Sequence, residues 1–451
     1  MHDFGWNQIG AAEKQTILSG FSAGEALGGP YHMEIHPTDR CDIACRFCST
    51  QKLRSRSELT TEAIDRILSQ AIDAGVRSVS ISGGGEPLVG GAGRHIIARL
   101  AEHNLPIAHI TTNGLGLDRE VSAALISGGC DQIRISLNVA DRDDYSRMMG
   151  VGPACFDRVV ENIRRLVAMK KGHPQTTVIV QFLTDHHNFR SVPEMYRFGR
   201  SLGVDKMLFN GLSYVEPPDR MRETEVSELV EFYRRILEED EYRFIIGIHS
   251  YELDLADQLH TIEARIGARR NSRSQLRRLT DYLARREAPR RTLDHRRWMK
   301  ARSGSRTMAA LHGEPCLMPW YSMIIRADGS VPPCCALQHS SVATVEDRDL
   351  MSIWRGSTMA TLRRQLRAAA LGQTYAPLID HPADQICAVG AGSEFQCPFK
   401  ATFYRHDLPF SRRLADVVED SRAHAVALRN DAAVVGRQSA THASNGYPRL
   451  S

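Results

Sequence analysis

Several features that would assign this 451-residue chain to a special class are missing from its sequence. No apolar run reaches the roughly 18–20 residues that a membrane-spanning helix needs. Met1 is not followed by the basic and then apolar segments of a secretory signal peptide, so we expect a cytoplasmic protein. The 57 basic and 53 acidic residues leave a net charge of only +4, which gives no general reason to expect a nucleic-acid or membrane partner.

Positive charge is concentrated between Arg265 and Arg306, where there are fifteen Lys and Arg residues but only three Asp and Glu residues. A phosphate-binding surface and a solvated helical hairpin both fit this composition. Aromatic residues are scarce in the segment, whereas surfaces that bind single-stranded nucleic acid use them as stacking platforms. We therefore favour the solvated hairpin.

Short apolar segments alternate with amphipathic segments from His32 to about Phe209, and glycines occur where the helices should end. This alternation predicts parallel strands joined by helical crossovers. Six such units predict an α/β fold with a partial barrel, whose chemistry belongs at the C-terminal ends of the strands. The predicted strands are His32–His36, Ser78–Ser82, Ile107–Thr111, Gln132–Leu137, Thr177–Phe182 and Lys206–Phe209, with a seventh at Arg243–Gly247. The predicted helices are Thr61–Ala74, Val121–Ser127, Phe156–Met169, Val192–Leu202, Glu223–Glu239 and Met351–Ala370.

The chain divides into five predicted regions. Residues 1–30 form an N-terminal extension, residues 31–250 the partial barrel and residues 251–312 an Arg-rich helical bridge. Residues 313–410 form a small cysteine-containing domain. Residues 411–451 begin as a helix and end in a polar stretch that is expected to be disordered.

The ten cysteines are unevenly spaced, with Cys41, Cys45 and Cys48 in one group and five more between positions 316 and 397. In a cytosolic protein two such groups indicate two metal sites rather than disulfides. Structural zinc needs four protein ligands, and no fourth lies near the first group. A [4Fe–4S] cluster held by three cysteines instead leaves one iron open. Zinc or a redox dithiol is the alternative.

The C-x3-C-x2-C spacing of this group, with Phe47 before the last cysteine and a strand directly before the first, resembles the signature of the radical S-adenosylmethionine (SAM) superfamily. The resemblance implies a partial (β/α)6 TIM-like barrel and a cluster whose open iron binds SAM. It also implies reductive cleavage of SAM to a 5′-deoxyadenosyl radical, which removes a hydrogen atom from the substrate. A flavodoxin- or ferredoxin-type protein would supply the electron.

Three more turns at the ends of predicted strands match the same family. Ser82–Pro87 resembles its GGEP element, Thr111–Gly114 its TNG-like turn, and the polar residues that end strand four resemble its contacts to the ribose or carboxylate of SAM. Arg147 lies near the place of a basic contact to that carboxylate, with a plain surface residue as the alternative. The SAM-binding residues that the resemblance implies are Gly83, Gly84, Gly85, Glu86, Thr112, Asn113, Ser136, Asn138 and Arg147.

The second cysteine group combines Cys316, an Asp-Gly turn between apolar runs that predicts a hairpin, Cys334, a Trp-containing helix and two late cysteines. This order resembles the SPASM/twitch auxiliary-cluster domain of radical SAM enzymes. The five available cysteines suit one auxiliary [4Fe–4S] cluster. The predicted ligands are Cys316, Cys334, Cys387 and Cys397, with Cys335 as the rival of Cys334 and zinc as the rival of the cluster.

The substrate is the least defined part of the prediction. Peptide-modifying members of the family usually carry a leader-binding domain before the barrel and a larger cysteine set than this sequence shows. The resemblance therefore favours a sugar or aminocyclitol of the aminoglycoside type, with dehydration, dehydrogenation or epimerisation in antibiotic biosynthesis. Peptide maturation is the rival enzyme function, and an iron–sulfur scaffold or electron carrier is the non-enzymatic one. The candidate substrate contacts are Glu34, His36, Asp185, His187, Glu216 and His249.

Overall fold

A computed structural model describes residues 6–48, 50–51, 54–211, 222–240, 245–249, 316–333 and 341–371, with five residues between 414 and 420. The described strands are β1 (His32–Ile35), β2 (Ser78–Ile81), β3 (Ile107–Thr112), β4 (Gln132–Ser136), β5 (Thr177–Thr184), β6 (Lys206–Gly211), β7 (Ile245–His249), β8 (Ser322–Ile325), β9 (Ser330–Val331) and β10 (Ala343–Thr344).

The described helices are α1 (Ala11–Ala23), α2 (Thr61–Asp73), α3 (Ala92–Glu102), α4 (Arg119–Ser127), α5 (Arg142–Met149), α6 (Ala154–Met169), α7 (Val192–Ser201), α8 (Glu223–Asp240), α9 (Met318–Tyr321), α10 (Leu350–Trp354) and α11 (Ser357–Ala370). Short 3₁₀ turns occupy Trp6–Gln8 and Phe189–Ser191. Within the described residues, no helix combines the length and the apolar character needed to cross a membrane.

Eight parallel strands form one sheet in the order β7-β6-β5-β4-β3-β2-β1-β8. The predicted α/β fold with a parallel sheet is confirmed, and the six predicted strands of the barrel are all present. The sheet is wider than six strands because β7 pairs with β6 at one edge and β8 pairs with β1 at the other. In the pairing of β1 with β8, His32 is in register with Ser322. Helices α3 and α5, like α1, were not among the predicted elements.

One face of the sheet is polar near β1, β2 and β3. His32 Nδ1 lies 2.9 Å from Ser78 Oγ, and Ser80 Oγ lies 2.9 Å from His109 Nδ1. Strand residues alternate between faces, so the intervening apolar residues join the core that the sheet forms with its helices. Parallel sheets are usually apolar on both faces. The two polar pairs are fully buried, and each polar side chain has its partner on the neighbouring strand, as burial requires.

The N-terminal segment packs against the region around β8. The rings of Trp6 and Tyr321 meet edge to face with 5.1 Å between centroids, and the rings of Phe21 and Trp320 do so at 5.4 Å. Trp354 donates from its indole nitrogen to the carbonyl of Gly28 at 2.7 Å. Residues 6–30 and the described part of the small domain thus share a core.

The predicted turn at Asp328 and Gly329 is confirmed, because the Arg326 amide donates to the Ser330 carbonyl at 2.9 Å. The predicted pairing across that turn is wrong. Strand β8 pairs with β1 at the edge of the large sheet, while β9 pairs antiparallel with β10. All four residues of β8 are buried, so both faces of the strand are covered in the large sheet. A small two-stranded hairpin would leave one of these faces exposed. The helix predicted over Met351–Ala370 is divided into α10 and α11.

Arg363 is a buried cation at the junction of α9, α10 and α11. It is 1% exposed, and its guanidinium donates to the carbonyls of Pro319 at 2.7 Å and Trp354 at 2.8 Å. The guanidinium also stacks 4.4 Å from the centre of the Trp354 ring. Burial lowers its pKa to about 10. Arg363 satisfies carbonyls that no water can reach, including one at the end of α10.

Arg363→Ala is expected to lower the free energy of unfolding by about 2–4 kcal/mol, because it leaves two buried carbonyls unpaired and removes the packed side-chain stem. The neighbouring Arg364 is exposed, so Arg364→Ala should change stability by no more than about 0.5 kcal/mol. Denaturant unfolding of both variants checks this. Equal stability of the two variants would contradict the role assigned to Arg363.

Candidate metal centre

The loop of residues 37–48 after β1, here called the cysteine loop, is held by the end of α5. The Ala44 amide donates to the Met149 carbonyl at 2.8 Å, and the Arg46 amide donates to the Met148 carbonyl at 2.9 Å. Gly150 follows with φ +63°, and a side-chain carbon there would lie 3.2 Å from Ala44. The end of α5 therefore needs glycine to approach the loop this closely.

Two polar side chains tie the cysteine loop to the ends of β3 and β5. Asn113 donates from its side-chain nitrogen to Asp42 Oδ1 at 2.6 Å. Arg46 forms an ion pair with Asp185 at 3.0 Å. The predicted TNG-like turn and the loop after β5 thus meet the cysteine loop at the C-terminal ends of the strands, where the fold class predicts chemistry.

The three thiols of this loop are partly buried, and burial opposes the ionisation of two of them. Burial raises the pKa of Cys41, and it raises the pKa of Cys45 to about 12, with the nearby Cys48 and Cys41 adding to the effect. Cys45 Sγ also lies 3.4 Å from Met149 Sδ. Thiolates in this setting need a cationic centre to stabilise them. The donor set therefore fits an iron–sulfur cluster. Within the described residues, no three His, Cys, Asp or Glu side chains converge on a single metal ion.

The glycine turn, residues 82–87, packs directly on the cysteine loop. A side chain at Gly85 would place its first carbon 2.2 Å from the Arg40 carbonyl, so no larger residue fits. The Gly84 carbonyl accepts hydrogen bonds from Thr50 Oγ1 at 2.9 Å and from Arg54 Nε at 3.1 Å. Gly83, Gly84 and Gly85 thus let the backbone of one strand end lie against that of its neighbour.

Glu86 joins the glycine turn to the TNG-like turn. It is 3% exposed, and its carboxylate accepts hydrogen bonds from Thr112 Oγ1 at 2.6 Å, the Asn113 amide at 2.6 Å and the Leu88 amide at 3.1 Å. Burial raises its pKa to about 7, against the opposing effect of these donors. Both carboxylate oxygens are occupied within the protein, so Glu86 organises the two turns. Its predicted contact with SAM stays a prediction.

The residues predicted at the end of β4 lie in different environments. Ser136 is half-buried, and Asn138 is buried with its Oδ1 accepting from the Leu183 amide at 2.8 Å. Asn138 therefore connects the ends of β4 and β5. Arg147 is exposed on α5 and pairs with Asp144 one turn earlier. The SAM contacts assigned to these three residues stay predictions.

The candidate substrate contacts are only partly brought together. Glu34 Oε1 lies 2.8 Å from His36 Nε2, and both side chains are largely buried beside the cysteine loop. Asp185 is engaged by Arg46 and also accepts from the amides of His187 and Asn188. The His187 ring packs 4.0 Å from that of His186. Glu216 lies outside the described residues, as does the side chain of His249.

The second cysteine group is visible at one position. Cys316 is buried just before α9 and contributes to the main core. Cys334, Cys335, Cys387 and Cys397 lie outside the described residues, so their assignment as auxiliary ligands stays a prediction.

Several residues that surround the cysteine loop escaped the sequence predictions. Arg54 Nη2 lies 3.3 Å from Cys48 Sγ, and Thr50 Oγ1 lies 3.2 Å from the same sulfur. Tyr145 is fully buried on α5, and within the described residues its hydroxyl has no hydrogen-bond partner. In the sequence, Thr50 and Arg54 are distinguished only by following Cys48 closely, and Tyr145 only by lying one helical turn before Met149. These signals are too weak to identify the three residues.

Models of two protein families match separate parts of this chain. Residues 35–199 match the model of the radical SAM superfamily, and residues 316–387 match that of SPASM, an iron–sulfur cluster-binding domain. This chain carries a radical SAM domain and a SPASM domain. These domains imply [4Fe–4S] clusters and SAM as cofactors, and the residues of the cysteine loop would hold the SAM-binding cluster.

Curated relatives include GTP 3′,8-cyclase of Rhizobium leguminosarum bv. trifolii, 31% identical over 180 residues, and GTP 3′,8-cyclase of Mesorhizobium japonicum, 29% identical over 181 residues. Each match covers 39% of this chain, and 49% and 52% of the respective relatives. The chain thus spans about half the length of the curated relatives that it matches.

Solved structures with the same fold include Streptococcus suis SuiB, with a TM-score of 0.54, 18% identity and coverage of 85% of this chain and 81% of that chain. SuiB bound to its precursor peptide SuiA gives a TM-score of 0.52 at 17% identity, covering 87% of this chain and 77% of that chain. At 17–18% sequence identity, this similarity shows a shared fold and nothing about a shared substrate.

Glu86→Gln is expected to lower the free energy of unfolding by about 1–3 kcal/mol at pH 5–6, because an amide nitrogen replaces one acceptor and leaves a buried donor unpaired. Glu120→Gln, on the exposed surface of α4, is the matched control and should be close to neutral. Denaturant unfolding measures both. A neutral Glu86→Gln would contradict the role of Glu86 as the connection between the two turns.

The cost of Glu86→Gln should also depend on pH. The pKa of Glu86 is raised from 4.5 to about 7, so the folded wild type holds a proton that the unfolded chain has already lost. Wild-type stability from this group is therefore full below about pH 4.5 and declines as pH rises through 7, whereas glutamine does not titrate. The difference in free energy of unfolding between the wild type and Glu86→Gln should therefore become smaller from pH 5 to pH 8. A difference that widens over this range would contradict the raised pKa.

Proposed function

We propose that this chain is a radical SAM enzyme. When bound, the cluster and SAM supply a 5′-deoxyadenosyl radical that abstracts a hydrogen atom from the substrate. The cysteine loop would hold the cluster through Cys41, Cys45 and Cys48, and the glycine turn would lie beside the bound SAM. A flavodoxin- or ferredoxin-type donor would deliver the electron. This activity belongs with a cytoplasmic protein, the location we propose.

The observation that carries this proposal is the meeting of three turns at one end of the sheet. Asp42 of the cysteine loop accepts from Asn113, and Glu86 of the glycine turn accepts from Thr112 and Asn113. Glu86, Thr112 and Asn113 are buried while Asp42 is exposed, and the groups come from three successive strand ends. An electron carrier has no need of the two additional turns, which supports an enzyme over the non-enzymatic alternative.

For the substrate we propose a sugar or aminocyclitol of the aminoglycoside type. The Glu34–His36 pair at the C-terminal end of β1, where this fold class predicts chemistry, offers a carboxylate and an imidazole to a ligand rich in hydroxyl and amino groups. The reaction would be a dehydration, a dehydrogenation or an epimerisation. In each, the buried Glu34–His36 pair is placed beside the cysteine loop to hold or move a proton at the His36 imidazole.

Modification of a peptide is the second candidate. It is supported by the likeness in fold to SuiB, one structure of which contains the precursor peptide SuiA. A nucleotide substrate has similar support from the GTP 3′,8-cyclases among the sequence relatives. The largely buried Glu34–His36 pair beside the cysteine loop favours the small molecule over the peptide, because a peptide is recognised largely through its backbone and through pockets at the surface.

We also propose that residues 313–410 hold one auxiliary [4Fe–4S] cluster through Cys316, Cys334, Cys387 and Cys397. Residues 31–250 would then form the radical SAM barrel and residues 251–312 a bridge between the two domains. Strand β8 joins the sheet of the barrel directly, so the auxiliary domain would be attached to β1 as well as to the bridge.

Anaerobic reconstitution tests the two-cluster assignment. The wild type should bind about eight iron and eight sulfide ions per chain, and a variant with Cys41, Cys45 and Cys48 changed to Ala should keep about four of each. Cys130→Ala is the matched control, since Cys130 is buried outside both groups, and it should keep all eight. A triple variant that retains zinc instead of iron would contradict the auxiliary cluster.

Substrate-dependent release of 5′-deoxyadenosine tests the function. The reduced wild type with SAM should release it, and amino sugars or aminocyclitols should increase the yield more than GTP or peptides do. The measurement is quantitative chromatography, with the triple cysteine variant as the blank. If only peptides increased the yield of 5′-deoxyadenosine, the sugar substrate would be refuted in favour of peptide modification. Absence of 5′-deoxyadenosine in all mixtures would refute radical SAM chemistry.

A further inference from the structure

Arg54 contacts the cysteine loop and the glycine turn at the same time. Its Nη2 donates toward Cys48 Sγ at 3.3 Å, its Nε donates to the Gly84 carbonyl at 3.1 Å, and its Nη1 reaches the Ile43 carbonyl at 3.4 Å. One planar guanidinium therefore spans a predicted iron ligand, its loop and the neighbouring turn. A lysine could not make these three contacts, because its single nitrogen lacks the fork of donors.

The charge of Arg54 lies among groups that carry no compensating negative charge of their own. No carboxylate in the described residues forms an ion pair with it, and two of its three contacts are to carbonyl oxygens. The guanidinium therefore holds its positive charge 3.3 Å from the sulfur of Cys48, next to the predicted cluster.

We propose that Arg54 is a positioning residue for the SAM-binding cluster, which holds the cysteine loop against the glycine turn and makes the cluster easier to reduce. The inference rests on the proposed function, because it concerns the cluster at Cys41, Cys45 and Cys48. Reduction adds one negative charge to a cluster, and a nearby cation stabilises the reduced form more than the oxidised form. Net charge and hydrogen bonds to the sulfurs are established determinants of cluster potential.

The electrostatic part predicts different behaviour for two substitutions. Arg54→Gln removes the charge and should shift the midpoint potential of the SAM-binding cluster to a more negative value. Arg54→Lys keeps the charge and should remain close to the wild type. Arg56→Gln removes an equal charge from an exposed side chain two residues away and should leave the potential unchanged.

The positioning part predicts a second effect. Both Arg54→Gln and Arg54→Lys lose the guanidinium fork between Cys48 and Gly84, so the glycine turn is less well ordered beside SAM. The dissociation constant for SAM, measured by equilibrium binding to the reconstituted protein, should rise about fivefold in both variants, the equivalent of one lost hydrogen bond. Arg56→Gln should bind SAM as the wild type does.

The experiment is a redox titration of the reconstituted full chain, monitored by electron paramagnetic resonance. The spectrum of the auxiliary cluster, recorded on the triple cysteine variant, is subtracted. An Arg54→Gln protein that is fully loaded and has the wild-type potential would overturn the electrostatic part, and unchanged SAM affinity in both Arg54 variants would overturn the positioning part. A wild type that binds no cluster at the cysteine loop would refute the proposed function instead.

If the Arg54→Gln protein does not bind the cluster, cluster loading of the Arg54→Lys protein decides the question. A loaded Arg54→Lys protein would support a requirement for positive charge at this position. An unloaded Arg54→Lys protein would overturn the electrostatic part, because charge without the guanidinium fork would then be insufficient.

Discussion

The cysteine loop is placed by backbone hydrogen bonds to the end of α5, from the amides of Ala44 and Arg46 to the carbonyls of Met149 and Met148. Ile43 and Phe47 of this loop pack on the core, but the backbone between the three cysteines also needs hydrogen-bond partners to hold a defined shape. The last turn of α5 supplies carbonyl groups that a helix leaves unpaired. Gly150 allows the close approach, since its positive φ and the nearness of Ala44 exclude a side chain.

The other strand ends are arranged around this contact by buried polar groups rather than by apolar packing. Glu86 accepts from two turns, Asn138 joins the ends of β4 and β5, and Asp185 orders the loop after β5 while pairing with Arg46. Removing one member of such a network leaves a partner buried and unpaired, which costs more than the hydrogen bond itself contributes. Several turn residues that match the family motifs therefore hydrogen-bond within the protein, and fewer side chains than the motifs suggest are available to a ligand.

The sequence was sufficient for the parallel sheet and the position of the cysteine loop, because alternation of apolar segments and cysteine spacing are local signals. It was insufficient for β8, which reads as the first arm of a hairpin until its pairing with β1 is known. Helix α1 has no clear amphipathic pattern and helix α5 is mostly polar, so the sequence did not reveal them. Helix α1 packs beside Trp320, and α5 holds the cysteine loop. Contacts over long sequence separations, such as Arg46 with Asp185, carry no local signature.

The central claim is that the cluster at Cys41, Cys45 and Cys48 has an open iron that binds SAM. Electron paramagnetic resonance of the reduced, reconstituted full chain with and without SAM tests it most directly. The account predicts that SAM changes the signal of one cluster, and that the triple cysteine variant shows only a signal that SAM leaves unchanged. A wild-type spectrum that is the same with and without saturating SAM would contradict it.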